Sequence, residues 1–130
     1  MIPKFRFFGK VNDGTERMVM ADSIDFENGF IYYSYHSYTE EEGDHVYGDV
    51  IGFEDCVLMQ STGLFDINGK EIFEGDIVRM HSGELLPVKL HHGMFEPVCY
   101  YASRAFGRVG NVFENPELLE HPDFREVLND

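Results

Sequence analysis

Residues 58–80 read Leu58-Met59-Gln60-Ser61-Thr62-Gly63-Leu64-Phe65-Asp66-Ile67-Asn68-Gly69-Lys70-Glu71-Ile72-Phe73-Glu74-Gly75-Asp76-Ile77-Val78-Arg79-Met80, and this stretch decides the fold. An apolar run ends at Asp66, and Asn68-Gly69 supplies the two residue types that best tolerate positive φ. A second run begins at Ile72, Glu74-Gly75-Asp76 punctuates it, and Ile77-Val78-Arg79-Met80 follows. The stretch spells an antiparallel hairpin and the start of a third strand. Asn68, Gly69, Gly75 and Asp76 are read as turn chemistry: a Gly-Asp step entering a strand lets the carboxylate accept backbone N–H groups left open by the turn.

Working outward, the strand signal continues on both sides. Ile2 to Phe8 reads as a first strand, closed into a hairpin by Asn12-Asp13-Gly14 before Met18-Val19-Met20. Asn28-Gly29 is a further turn. Beyond it, alternation in Phe30–Tyr38 sets Ile31, Tyr33 and Tyr35 on one face and Phe30, Tyr32, Ser34, His36 and Tyr38 on the other. A strand with aromatics on both faces is either covered twice or lies at an interface. Tyr32, Tyr33, Tyr35, His36 and Tyr38 are therefore the candidate interaction surface. Thr39 to Asp44, centred on three consecutive glutamates, reads as a solvated loop tip.

Downstream, Ser82-Gly83 turns the chain back into a run from Leu85 to Leu90, in which Pro87 marks an edge or a bulge. His91-His92-Gly93 reads as a tight turn, with Gly93 as its structural glycine, into an apolar run from Met94 to Tyr101; Val109 to Phe113 is read as the last strand. Short strands joined by tight turns suit a small, curved, SH3-like antiparallel barrel. In the tail, Asn115 and Pro116 have the character of a helix cap and first helical residue. Pro122 then starts a turn with Phe124, Val127 and Leu128 on one face. The expected fold class is mainly β: N-terminal hairpins over 1–56, a small barrel over 57–115 and a short helical tail over 116–130.

Composition agrees, with 43% hydrophobic and 15% aromatic residues among 130, the profile of half-buried pleated surfaces. The formal net charge of −14 opposes direct binding of a phosphate backbone, and no basic cluster offsets it. Cys56 and Cys99 are distant and unpaired in pattern, which suggests free thiols in a reducing compartment, and no apolar run reaches membrane-spanning length. A cytoplasmic protein is expected.

The chemistry search yields no phosphate loop, nucleophile elbow or Cys-x-x-Cys framework. The six histidines lack ligand spacing, and adjacent His91 and His92 would splay or point to opposite faces. No catalytic residue, cofactor or metal is expected. An enzymatic reading would require His91 or His92 to converge with Glu71 or Asp76 in a pocket.

The central stretch resembles the YopX family of small phage and prophage proteins, through Leu58-Met59-Gln60, Thr62-Gly63-Leu64, Asn68 to Ile72 and Glu74 to Val78. Pro3-Lys4-Phe5-Arg6 looks like the family's opening strand, Gly110 to Leu119 like its closing motif, and His92-Gly93-Met94-Phe95 stands in place of its usual Asn-Gly hairpin. Phe7-Phe8 departs from the tryptophan often found there, and Ser61 from tyrosine, both affecting packing. The resemblance implies a phage or prophage origin (hence the host cytoplasm), a barrel-containing fold and a tendency to self-associate; it implies no reaction. The leading expectation is a non-enzymatic, oligomeric interaction module binding a host or phage protein. The alternative is an acidic mimic of nucleic acid that occupies the basic cleft of a host nucleic-acid-processing protein.

Overall fold

The computed structural model describes residues 4–126, with the side chain of Ser37 left aside. Ile2 and Pro3 of the expected opening strand, and Val127 and Leu128 of the tail, lie outside the described residues. The protein is mainly β, and its chain divides into two compact units, one spanning 4–59 and the other beginning at Gln60.

In the first unit, β1 (Phe5–Lys10) and β2 (Glu16–Met20) form the opening hairpin, paired from Arg6 with Met20 to Lys10 with Glu16. Asp13 makes the turn rigid by accepting from the Thr15 amide at 2.9 Å. β3 (Ser23–Asp25), β4 (Phe30–Thr39) and β5 (Gly43–Gly52) make a three-stranded antiparallel sheet in that order. Glu40, Glu41 and Glu42 form the loop between β4 and β5, and Tyr47 Oη donates to Glu42 at 2.9 Å. The core collects alternate residues: Phe7, Val11, Ile31, Tyr33 and Ile51, flanked by Val19, Ile24, Tyr35 and Leu58. Phe7 meets the Tyr33 ring edge-on at 5.1 Å, and Gly9 lies so close to Cys56 that an added Cβ would stand 2.8 Å from its Cβ.

β6 (Cys56–Phe65) is continuous through the junction at residues 59–60. The second unit adds β7 (Glu71–Phe73), β8 (Asp76–Met80), β9 (Leu85–Pro87), β10 (Lys89–His91), β11 (Met94–Glu96) and β12 (Phe106–Asn111). β12-β8-β9 form one sheet, β10-β11 a hairpin, and β7 pairs with β6. The unit curls as a half-barrel over Ile72, Val78, Met80, Val88, Val98 and Phe106.

Several expected boundaries move. The Leu85–Leu90 run is two strands, because Val88 leaves the ladder: its amide donates to Asp76 O at 2.8 Å and its carbonyl accepts from Gly75. The run from Met94 is a strand only to Glu96, after which Val98–Tyr100 forms a short 3₁₀ turn. The last strand begins earlier, at Phe106, and bulges at Val109. Among the described residues the tail holds a single 3₁₀ segment, Pro116–Glu120. Asn115 does not cap it with its side chain, which accepts from the Asn111 amide at 3.1 Å; an added Cβ on Gly110 would meet that side chain at 2.5 Å. Phe124 joins an isolated bridge with Leu85 in place of a second helical turn.

Candidate functional site

The stretch that decides the fold is held by its own side-chain to main-chain bonds and by Arg108. Asp66 is 3% exposed. Its Oδ1 accepts from the Asn68 and Lys70 amides at 2.9 Å, and its Oδ2 from the Arg108 amide at 2.7 Å. Burial pushes the Asp66 carboxyl up, but the three N–H bonds outweigh it and hold the group below its ordinary value. Asn68 and Gly69 occupy the turn so formed, with Gly69 at φ 78°. Asp76 is fully buried; its Oδ2 accepts from the Phe73 amide at 2.8 Å, and its Oδ1 from Arg108 Nε at 3.0 Å. Gly75, at φ 88°, makes that turn. Arg108 thus clasps both aspartates, its side chain directed to Asp76 beside the Val109 bulge. The hydroxyls of Ser61 and Thr62 are also engaged: Ser61 Oγ donates to Glu71 at 2.6 Å, and Thr62 Oγ1 to Ile72 O at 2.7 Å.

His91 Nδ1 lies 3.1 Å from Glu96, while Glu71 and Asp76 hold the partners just given. His91 and His92 stack at 3.9 Å rather than splaying, because His92 takes φ 51° and folds back in the two-residue turn it shares with Gly93 (φ 78°). A groove of about 550 Å³ in the second unit is lined by Met80, His81, Glu84, Leu86, Tyr101 and Arg104, with Ser82 and Ala105; none of the four residues named for catalysis lines it. Among the described residues no cluster of three or more His, Cys, Asp or Glu side chains is placed to hold a metal ion. Cys56 and Cys99 are free and half-buried, and burial pushes both thiols up.

The aromatic strand separates its candidates by face. Tyr33 is buried, and Tyr35 is half-buried, stacked on Tyr33 at 6.2 Å and on Tyr47 at 5.6 Å. Burial, with Asp49 adding to it, pushes the Tyr33 phenol up. Tyr32, His36 and Tyr38 point outward with Phe30, and the two outer tyrosines are 45% and 71% exposed. Register brings Val46 opposite His36 and Val50 opposite Tyr32, so the outward face of β4 and β5 carries Phe30, Tyr32, Tyr38, Val46 and Val50, all exposed. Val46 and Val50 escaped the sequence reading, yet a signal existed. Counting back from a three-glutamate loop places alternate residues of the next strand on the same face as Tyr32 and Tyr38.

This is a small, mainly β protein with two turn-bound aspartates under an arginine clasp and an exposed aromatic sheet face. The chain belongs to the YopX family: the family model described as YopX protein matches residues 4–120. Among solved structures it is similar to protein EF1440 from Enterococcus faecalis, at 26% identity and a TM-score of 0.62, over 92% of this chain and 99% of that one. No curated protein matches it. Among the described residues no helix is long and apolar enough to cross a membrane.

Proposed function

We propose that this is a non-enzymatic, self-associating protein-interaction module of phage or prophage origin, acting in the host cytoplasm. The observation that carries this reading is the outward face of β4 and β5. Phe30, Tyr32, Tyr38, Val46 and Val50 present a run of large apolar side chains on a rigid two-strand ladder. Such a contiguous patch on one sheet face marks a contact surface. Its first occupant is a second copy of the chain; a host or phage protein is the further partner the assembly serves. Supporting the non-enzymatic part, the buried carboxylates are committed to backbone amides and Arg108.

The test is light scattering on the intact chain and on a Tyr32→Glu/Tyr38→Glu variant. The wild type should run as an assembly, and the variant should fall to a lower mass while keeping its β circular dichroism. A wild type that is monomeric at every concentration sinks the reading.

A second reading, the acidic nucleic-acid mimic, is favoured by the net charge of −14. It requires the chain to compete with DNA for the basic cleft of a host enzyme, and retention of DNA by that enzyme at saturating protein would remove it.

A further inference from the structure

We infer that β5 pairs edge to edge, antiparallel, with β5 of a second copy of this chain; this rests on the self-associating reading above and adds to its face contact a second one, at the edge of the same sheet. In the sheet order β3-β4-β5, β5 is an edge strand. The Asp22 amide donates to the Tyr32 carbonyl at 2.8 Å. Even-numbered residues of β4 therefore turn their main chain toward β3, and odd-numbered residues toward β5. Through the register of Tyr33 with Asp49 and Tyr35 with Tyr47, the odd-numbered residues of β5 complete that ladder. Asp44, Val46, Gly48 and Val50 then direct their N–H and C=O groups to the open edge.

The far end of this edge is already closed. The Val50 amide donates to Asp49 Oδ1 at 2.8 Å, and the Gly52 carbonyl accepts from the Cys56 thiol at 3.5 Å. Asp44, Val46 and Gly48, all exposed, remain as a pairing template. Edge strands are ordinarily guarded by Pro or Lys, and β5, Gly-Asp-His-Val-Tyr-Gly-Asp-Val-Ile-Gly, has neither.

The strand is complementary to itself in one register. With Tyr47 facing Tyr47 across a twofold axis, Val46 meets Gly48, giving a mutual pair of main-chain hydrogen bonds on each side of the axis. His45 then stands opposite Asp49 twice, and Asp44 opposite Val50, so no like charges face each other. Centring on Val46 sets His45 against Tyr47, and centring on Gly48 sets Tyr47 against Asp49; both forfeit the pairing of an imidazole N–H with the Asp49 carboxylate. The preferred register also joins the Val46 and Val50 apolar faces of the two copies. This self-complementarity selects a second copy over an unrelated extended peptide.

The experiment is sedimentation equilibrium on the full chain, on Val46→Pro and on the Tyr32→Glu/Tyr38→Glu variant, with mild oxidation of Tyr47→Cys alongside. Val46→Pro removes an edge amide that β4 does not use, so the fold should persist. Its dissociation constant should rise about tenfold or more, from the lost hydrogen bond and the obstructing ring. Tyr47→Cys should give a covalent dimer at a level the wild type, with Cys56 and Cys99, does not reach. A natively folded Val46→Pro that assembles like the wild type, or a Tyr47→Cys that stays monomeric on oxidation, overturns the inference. If the tyrosine variant dissociates while Val46→Pro does not, edge pairing falls and the interaction-module reading stands. A monomeric wild type removes both.

Discussion

Replacing Asp66 by Asn changes one atom and should cost more than most core truncations of similar size. The carboxylate accepts three main-chain N–H bonds at 2.7–2.9 Å from a position 3% exposed. A hydrogen bond to a charged group contributes about 1.5–3 kcal/mol net, and a neutral one about 1. Asn can keep the Asn68 and Lys70 bonds through its carbonyl oxygen, each weakened by roughly 1 kcal/mol. Its NH2 then confronts the Arg108 amide, a donor facing a donor, at a cost of about 1–2 kcal/mol. The sum is about 3–4 kcal/mol at pH 7, which moves a urea midpoint by about 1.5–2 M if m is near 2 kcal/mol/M. The pH dependence supplies a sign. The folded Asp66 carboxyl is held below its ordinary value, so its contribution is complete above the unfolded value of about 3.9 and is lost as pH falls through the folded one. The gap between wild type and Asp66→Asn should therefore close in acid. Urea titrations from neutral to about pH 2.5 measure it. A gap below about 0.5 kcal/mol at pH 7, or one that stays constant into acid, refutes the account of this turn.

Two further outcomes follow from the same stretch. Gly69→Val places a β-branched residue at φ 78° and should cost about 1–3 kcal/mol, read as a lowered melting temperature; unchanged melting contradicts it. Arg108→Leu strips the guanidinium from fully buried Asp76 while keeping the main-chain bond to Asp66. With the arginine side chain 31% exposed, the loss of one charge-assisted hydrogen bond should cost about 1–2 kcal/mol, and chemical denaturation showing no loss would place the Asp76 charge balance elsewhere.

The residues from Asp66 to Asp76 show how far sequence carries. The Asn68-Gly69 and Gly75-Asp76 turns could be read because turn chemistry is local: positive φ and short-range carboxylate-to-amide bonds depend on neighbours within a few positions. The clasp could not, since Arg108 is forty-two positions from Asp66 and reaches it through strand pairing. The same limit split the Leu85–Leu90 run, where Val88 exchanges main-chain bonds with Gly75 and Asp76. For the candidate surface, period-two alternation in β4 separated Tyr32 and Tyr38 from Tyr33. Val46 and Val50 required counting the strand across the Glu40–Glu42 loop, whose length sets the register. The tail misled because Asn115 has a helix cap's chemistry but lies against Gly110, where its side chain bonds Asn111.

The central claim is that the outward face of β4 and β5 is a contact surface and that the chain self-associates through it. Light scattering of the intact protein alongside Tyr32→Glu/Tyr38→Glu measures this most directly. The account predicts an assembly for the wild type and a lower mass for the folded variant. A wild type at single-chain mass, or a variant that assembles unchanged, contradicts it.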